Sequence, residues 1–178
     1  MNQALEQPKQ QKSENPMRRI FIEKVVLSAG ATGDDLQKAK KLLELLSKMK
    51  AQILTTAKRI PDFGVRPGLE VGTRVTLRRM KAHEILKQLL GALNNTLYES
   101  QVSPNHFSFG IKEYIEIPGA EYQREIGIRG LNITVVFARP GLHVKRKKIK
   151  KGSIPSKQHI SEQEIIKYME ENFKTKFI

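Results

Sequence analysis

The sequence predicts an α+β fold: a mixed or antiparallel sheet with helices packed mainly on one face, a long loop after the second strand and a basic C-terminal extension. Three observations predict it. Segments with period-two apolar alternation interleave with segments of helical period, in the order β, α, β, β, α, β, β, α. The clearest strands are apolar on one side and cationic or hydroxylated on the other, so one face of the sheet is core and the other is open. A chain of 178 residues at 39% hydrophobic content is long enough for one domain core plus polar extensions.

Residues 1–15, rich in Gln, Lys and Glu, read as a disordered tail closed by Pro16. The run RIFIEKVVLS from Arg19 is rich in Val and Ile with apolar residues on both faces, which suits a strand covered at least in part on both sides. Gly30 and Gly33 break it. A helix then spans about Asp35 to Met49, with Asp34 and Asp35 at its positive end and Leu36, Ala39, Leu43 and Leu46 as its stripe. A short strand and a long loop punctuated by Pro61, Gly64, Pro67 and Gly68 follow. In EVGTRVTLR, Val71, Thr73, Val75 and Leu77 face one way and Arg74, Thr76 and Arg78 the other. The second helix covers about Lys81 to Leu97, on Ile85, Leu86, Leu89, Leu90 and Leu93. Two alternating strands follow: Phe107, Phe109, Ile111, Ile115 and Ile117 against Ser108, Gly110, Lys112 and Tyr114, then Leu131, Ile133, Val135 and Phe137 against Asn132 and Thr134. Ser161 and Glu164 have capping-box spacing ahead of a last helix striped by Ile165, Ile166, Met169 and Phe173.

Charge points to the partner. There are 32 Lys and Arg against 18 Asp and Glu, a net charge of +14. The stretch HVKRKKIKKGSIPSK, residues 143–157, carries Lys145, Arg146, Lys147, Lys148, Lys150, Lys151 and Lys157 without an acid. Like-charge repulsion keeps such a block from folding compactly on itself, so it requires a polyanion or plain solvent. A merely solvated tail is the plainer alternative, but the charge excess extends well beyond this block. An anionic membrane is disfavoured because the block lacks interleaved Trp, Phe or Leu at helical spacing. No apolar run reaches the roughly 20 residues of a membrane span. The N-terminus has no secretory h-region. The absence of Cys removes disulfides and thiolate zinc sites, and a reducing, cytoplasmic location is compatible.

Catalytic chemistry is poorly supplied. The three Asp fit helix starts or a turn, and the four His (His83, His106, His143, His159) have no ligand spacing. Glu113 with Glu116, and Glu121 with Glu125, read better as structural acids than as catalytic pairs, and no phosphate loop or nucleophile elbow is present. The expectation is no enzyme, no metal and no cofactor. A nucleic-acid surface is better provided. Arg74, Thr76 and Arg78 repeat at about 7 Å along one strand face, close to the phosphate spacing of an RNA strand. On the long loop, Lys58, Arg59 and Arg66 flank Phe63 and Gly64; Phe63 either stacks on a base or pins the loop to the core. With aromatics at 6% and no aromatic RNA-recognition strand, shape and phosphate recognition outweigh sequence reading. The expected division is tail 1–15, an RNA-binding α+β domain 16–142, and a basic extension with the C-terminal helix 143–178.

Six short motifs occur in order: Asn15-Pro16-Met17-Arg18, Phe63-Gly64-Val65-Arg66, Val75-Thr76-Leu77-Arg78, Phe107-Ser108-Phe109-Gly110-Ile111, Glu125-Ile126-Gly127-Ile128 with Gly130, and Arg139-Pro140-Gly141. Together, over about Asn15 to Phe173, the chain resembles the large-subunit ribosomal protein L-five family in its archaeal and eukaryotic form, called L-eleven in eukaryotes. The resemblance implies a structural role in the central protuberance, binding 5S rRNA and large-subunit rRNA. The implied contacts are Arg18, Ser28, Gly30, Gln52, Arg74, Thr76 and Arg78, with Lys145, Arg146, Lys147 and Lys148. It implies that the loop Ala57 to Gly68 meets P-site tRNA through Lys58, Arg59, Phe63, Gly64 and Arg66. It also implies neighbouring ribosomal proteins as partners, one of them a small-subunit protein across the interface. The chain departs from the family at Ser28 (usually Asn), Thr32 and Arg79 (usually Gly), Asn105-His106 (usually Gly-Asn), and at Ala51-Gln52, where no Pro follows. The rival reading is a stand-alone RNA chaperone or nucleic-acid-compacting protein. A further rival, a phosphate-ester enzyme using Glu113 or Glu121, lacks an Asp cluster.

Overall fold

The computed structural model describes residues 15–178. The expected N-terminal tail lies almost wholly outside the described residues. The elements are β1 (Phe21–Gly30), α1 (Asp34–Ser47), β2 (Gln52–Thr55), β3 (Glu70–Leu77), α2 (Met80–Ala92), β4 (Thr96–Leu97), β5 (Val102–Ser103), β6 (His106–Ile111), β7 (Leu131–Ala138), α3 (His143–Arg146), α4 (Glu162–Phe173) and β8 (Lys176–Phe177). Six strands form one sheet in the order β2-β3-β1-β7-β6-β5. Every pairing in it is antiparallel. The α+β expectation therefore holds, and the sheet is antiparallel rather than mixed; the parallel pair β4–β8 stands apart.

The core forms where the alternation places it. Ile22, Val25 and Leu27 of β1, Val75 and Leu77 of β3, Phe107 and Phe109 of β6, and Ile133, Val135 and Phe137 of β7 are buried. They join one cluster with Leu42 and Leu43 of α1, Leu86, Leu89 and Leu90 of α2, and Ile165 and Met169 of α4. Burying each such side chain contributes about 1.5–3 kcal/mol. Phe107 sits at the centre, its ring 5.8 Å from those of Phe109 and Phe137.

Helix ends differ from expectation for local reasons. Lys48 turns left-handed (φ 50°) and donates its N–H to Glu44 O, so α1 stops short of Met49. Asn94 and Asn95 both have positive φ, ending α2 well before Leu97 and releasing Thr96–Leu97 to pair with β8. Ser161 and Glu164 form the expected capping box, with the Ser161 N–H donating to Glu164 Oε2 at 3.0 Å.

Three further readings need completion or correction. β1 is fully buried on one face and covered only in part on the other, where Val26 and Ser28 are half-buried, and a bulge between Ile22 and Lys24, which the sequence reading did not place, leaves Glu23 and Lys24 both on that outer side. The alternation of β6 does not continue to Ile117. The strand ends at Ile111, Tyr114–Glu116 form a 3-10 turn, Tyr114 is 0% exposed and Ile115 39%. The Tyr114 hydroxyl accepts from Gln123 N at 2.9 Å, a tertiary bond that periodicity does not encode. Finally, the basic stretch does contain structure. It opens with the single turn α3 and is tied by Gly152 N donating to Val144 O at 3.2 Å, because Glu23 of β1 supplies the counter-charge to Arg146.

Candidate nucleic-acid interface

The face of the sheet turned away from α1, α2 and α4 is built in rows set by strand register. One row runs Gln52, Arg74, Ser28, Asn132, Gly110 across β2, β3, β1, β7 and β6. At about 4.8 Å per strand it spans roughly 19 Å. Gly110 matters here: a Cβ would stand 3.2 Å from Asn132 Oδ1, so glycine leaves room for that amide. The next row is Thr76, Val26, Thr134, Ser108, in which the Ser108 and Thr134 hydroxyls lie 3.1 Å apart. The third carries Lys24, Val136 and His106. These rows present side-chain donors and acceptors at the repeat spacing of the sheet.

Arg74 is exposed, and its Nε donates to Gln52 Oε1 at 3.2 Å, which fixes the plane of the guanidinium while leaving its outer N–H groups open. Ser28 Oγ donates to Asn132 O at 3.5 Å, and Thr76 is half-buried. Gly30 is exposed at the end of β1, opposite Gly72. Arg78, just past β3, points to Glu23 Oε1 at 3.7 Å, and Arg146 pairs with the same oxygen. Lys145, Lys147 and Lys148 are exposed beside it. Sheet face and basic stretch thus join through one acid. Arg18 is separate: with Arg19, Phe21, Arg139, Lys157, Lys167 and Tyr168 it lines a cleft of about 1070 Å³. There Arg139 Nη2 donates to Glu164 Oε1 at 2.6 Å. Burial raises the Glu164 carboxyl, but the Ser161 amide and Arg139 outweigh it and hold the group below its ordinary value. Burial pushes the Tyr168 phenol up, against the opposing charge of Arg19.

The long loop is an ordered hairpin. Thr56 N donates to Leu69 O at 3.0 Å and Gly68 N to Thr56 O at 2.8 Å. Further out, Ile60 and Val65 exchange two bonds of 3.0 Å. The tip is the 3-10 turn Pro61–Phe63, closed by Gly64 at φ 64°, a conformation that favours glycine. Val65 is the inward anchor, whereas Phe63 is 79% exposed and does not pin the loop. Lys58, Arg59 and Arg66 are exposed along the same hairpin.

Sequence reasoning singled out β3 and the loop but missed Glu23 and Lys24 as members of the face. Their signal, an irregular alternation in FIEKVV, is visible only as a break in period two. Asn132, Thr134 and Ser108 were legible as outward positions, though not as a continuation of the Arg74 row. Among the described residues no group of three or more His, Asp or Glu is placed to hold a metal, and no helix is long and apolar enough to cross a membrane.

Residues 70–168 match the ribosomal L5P family C-terminus. The chain is 41% identical over 165 residues to the large ribosomal subunit protein uL5 of Sulfolobus acidocaldarius, covering 91% of this chain and 93% of that protein. It is 42% identical over 169 residues to the uL5 of Nanoarchaeum equitans, covering 93% and 99%. It is 36% identical over 170 residues to that of Archaeoglobus fulgidus, covering 94% and 96%. Identity of this level over nearly the full length of both partners places the chain in the ribosomal L5 family, in its archaeal form.

Proposed function

We propose that the chain is a structural constituent of the large ribosomal subunit that binds 5S rRNA and large-subunit rRNA in the central protuberance. The family is structural and non-enzymatic. In this reading the open sheet face and the basic stretch 143–157 grip rRNA. The hairpin of residues 57–68 carries Lys58, Arg59, Phe63, Gly64 and Arg66 to P-site tRNA. Neighbouring ribosomal proteins, one from the small subunit, complete the set of partners, and the protein resides in the cytoplasmic ribosome. The domain division expected from the sequence stands within this proposal, with 16–142 as the RNA-binding body.

The observation that carries the reading is the row of Gln52, Arg74, Ser28 and Asn132, a cation, a hydroxyl and two amides on a sheet face that no long helix covers among the described residues. A rigid sheet holds these groups without a further ordering cost on binding, and phosphate neutralisation supplies the affinity. Shape selectivity follows, because the face offers an extended array of contacts rather than a pocket for one base. The exposed Phe63 between cations supports stacking or backbone contact at the hairpin tip.

A gel shift of the purified chain with 5S RNA, challenged by transfer RNA at near-physiological salt, tests the reading. Retention of 5S RNA against excess competitor is expected. Equal competition would favour the stand-alone nucleic-acid-compacting protein instead.

A further inference from the structure

One acid stands on the cationic face. Glu23 reaches it only because the β1 bulge between Ile22 and Lys24 sets two consecutive residues outward. Its side chain is 14% exposed, the most enclosed of the acids that form ion pairs among the described residues. It is also the one paired acid that two arginines share, Arg78 from the end of β3 and Arg146 from the last turn of α3. Each arginine keeps about half its side-chain surface in solvent, at 53% and 51%. The guanidinium N–H groups that Glu23 does not occupy therefore remain available.

We propose that Glu23 is a positioning residue for RNA binding: it holds Arg78 and Arg146 side by side so that both grip the same stretch of phosphodiester backbone. The proposal rests on the sheet face being the rRNA surface. Its physical basis is the weakness of α3. A helix of four residues does not sustain itself, and its backbone bonds, Lys145 N to Leu142 O, Lys147 N to His143 O and Gly152 N to Val144 O, are all local; the contact of Arg139 Nη1 with Lys157 O at 3.4 Å holds only the far end of the stretch. Glu23 is the ion-pair partner that fixes α3 to the sheet. Two arginines brought together without an acid repel. With Glu23 between them the trio keeps one net positive charge, and Lys24 adds another beside it. Phosphate then meets a preformed pair instead of ordering a free basic segment at its own expense.

The sign of the effect separates this from simple charge counting. Removing an acid from an RNA-binding surface should tighten binding if the acid only repels phosphate. Positioning predicts the reverse. In 5S RNA binding by the full chain at 0.15 M salt, Glu23→Gln is expected to weaken affinity about fivefold, the loss of roughly one phosphate contact. Glu23→Asp should recover most of it. Arg146→Gln should cost about fivefold in the natural chain and little in the Glu23→Gln background, since the arginine is then already released. Tighter or unchanged binding by Glu23→Gln, or an equal cost of Arg146→Gln in both backgrounds, overturns the proposal.

Arg74→Gln is the control for the underlying reading. If it has no effect, the sheet face is not the RNA surface; if it weakens binding while Glu23→Gln tightens it, only the positioning role falls. Should Glu23→Gln not fold, the exposed Arg146→Gln gives a reading without RNA. A lysine-specific protease is expected to cut at Lys145, Lys147 and Lys148 faster in that variant, and equal rates overturn the tether.

Discussion

Neutralising Arg74 and Arg78 together tests the sheet face most directly, because the expected defect has a shape as well as a size. The two residues are separated by four positions on an extended segment, about 13 Å. That exceeds the screening length of about 8 Å at physiological salt, so their contributions should add. Each phosphate contact contributes about 0.9 to the slope of log affinity against log salt. Arg74→Gln with Arg78→Gln should therefore flatten the slope by about 1.8. The same relation makes the affinity loss roughly 30-fold at 0.15 M salt and only about 3- to 4-fold at 0.5 M. Filter binding or fluorescence anisotropy with 5S RNA across that range reads both quantities. Arg74 is exposed and Arg78 lies beyond the last residue of β3, so the fold should survive, and an unchanged thermal melt checks this. A salt slope equal to that of the natural chain would refute the assignment, whatever happened to affinity at one salt concentration.

Other substitutions probe the scaffold and the extensions. Phe107→Ala removes a ring of 0% exposure at the centre of the core and should cost about 3–5 kcal/mol in urea unfolding. Phe63→Ala, at 79% exposure, should change stability by less than about 0.5 kcal/mol yet reduce crosslinking of the hairpin to P-site tRNA in assembled particles; undiminished crosslinking removes the stacking role. Glu164 is held below its ordinary pKa of 4.5, so the stability it contributes is present above that value and is lost as pH falls through the lower folded value. Acid titration of unfolding should accordingly be shallower below pH 4.5 in Glu164→Gln than in the natural chain, and identical curves would remove the Arg139–Glu164 contact from the account. Gly130→Ala should destabilise strongly, because its Cβ would stand 2.8 Å from both Ile111 O and Lys112 O; a native melting temperature would contradict that geometry.

The fold was legible where local chemistry and burial agree. β3 alternates cleanly because its two faces meet different media, and the order of the long elements followed from such patterns. The capping box at Ser161 and Glu164 was readable because both partners lie within one turn. What escaped depends on pairing at long range. The bulge of β1 arises from its register against β7, and no periodicity in FIEKVV specifies which residue is extra. Tyr114 looked outward by alternation but turns inward to the Gln123 amide, and its own N–H donates to Arg129 O. For the candidate site, residue type gave Arg74, Arg78 and the hairpin cations. Whether Phe63 faced core or solvent could not follow from residue type, since the deciding anchor is its neighbour Val65.

Acids pair with six cations among the described residues of a chain of net charge +14. Asp35 takes Lys38 and Arg129, Glu125 takes Lys41, and Glu164 takes Arg139. All four of these cations lie on or against α1 or α4. Arg74, Lys58, Arg59, Arg66, Lys145, Lys147 and Lys148 take no ion pair among the described residues, and neither do Lys40 of α1, Lys81 and Lys87 of α2 or Lys167 of α4. Exposed pairs contribute little to stability, typically below about 1 kcal/mol, so folding alone gives weak reason to leave the sheet-face and hairpin cations unpaired. Polyanion binding gives a strong one: every cation already paired must exchange a carboxylate for a phosphate, whereas an unpaired cation gains its partner outright. Glu23 departs from that pattern, and the positioning role proposed for it requires that the arrangement it imposes on Arg78 and Arg146 return more affinity than its charge removes.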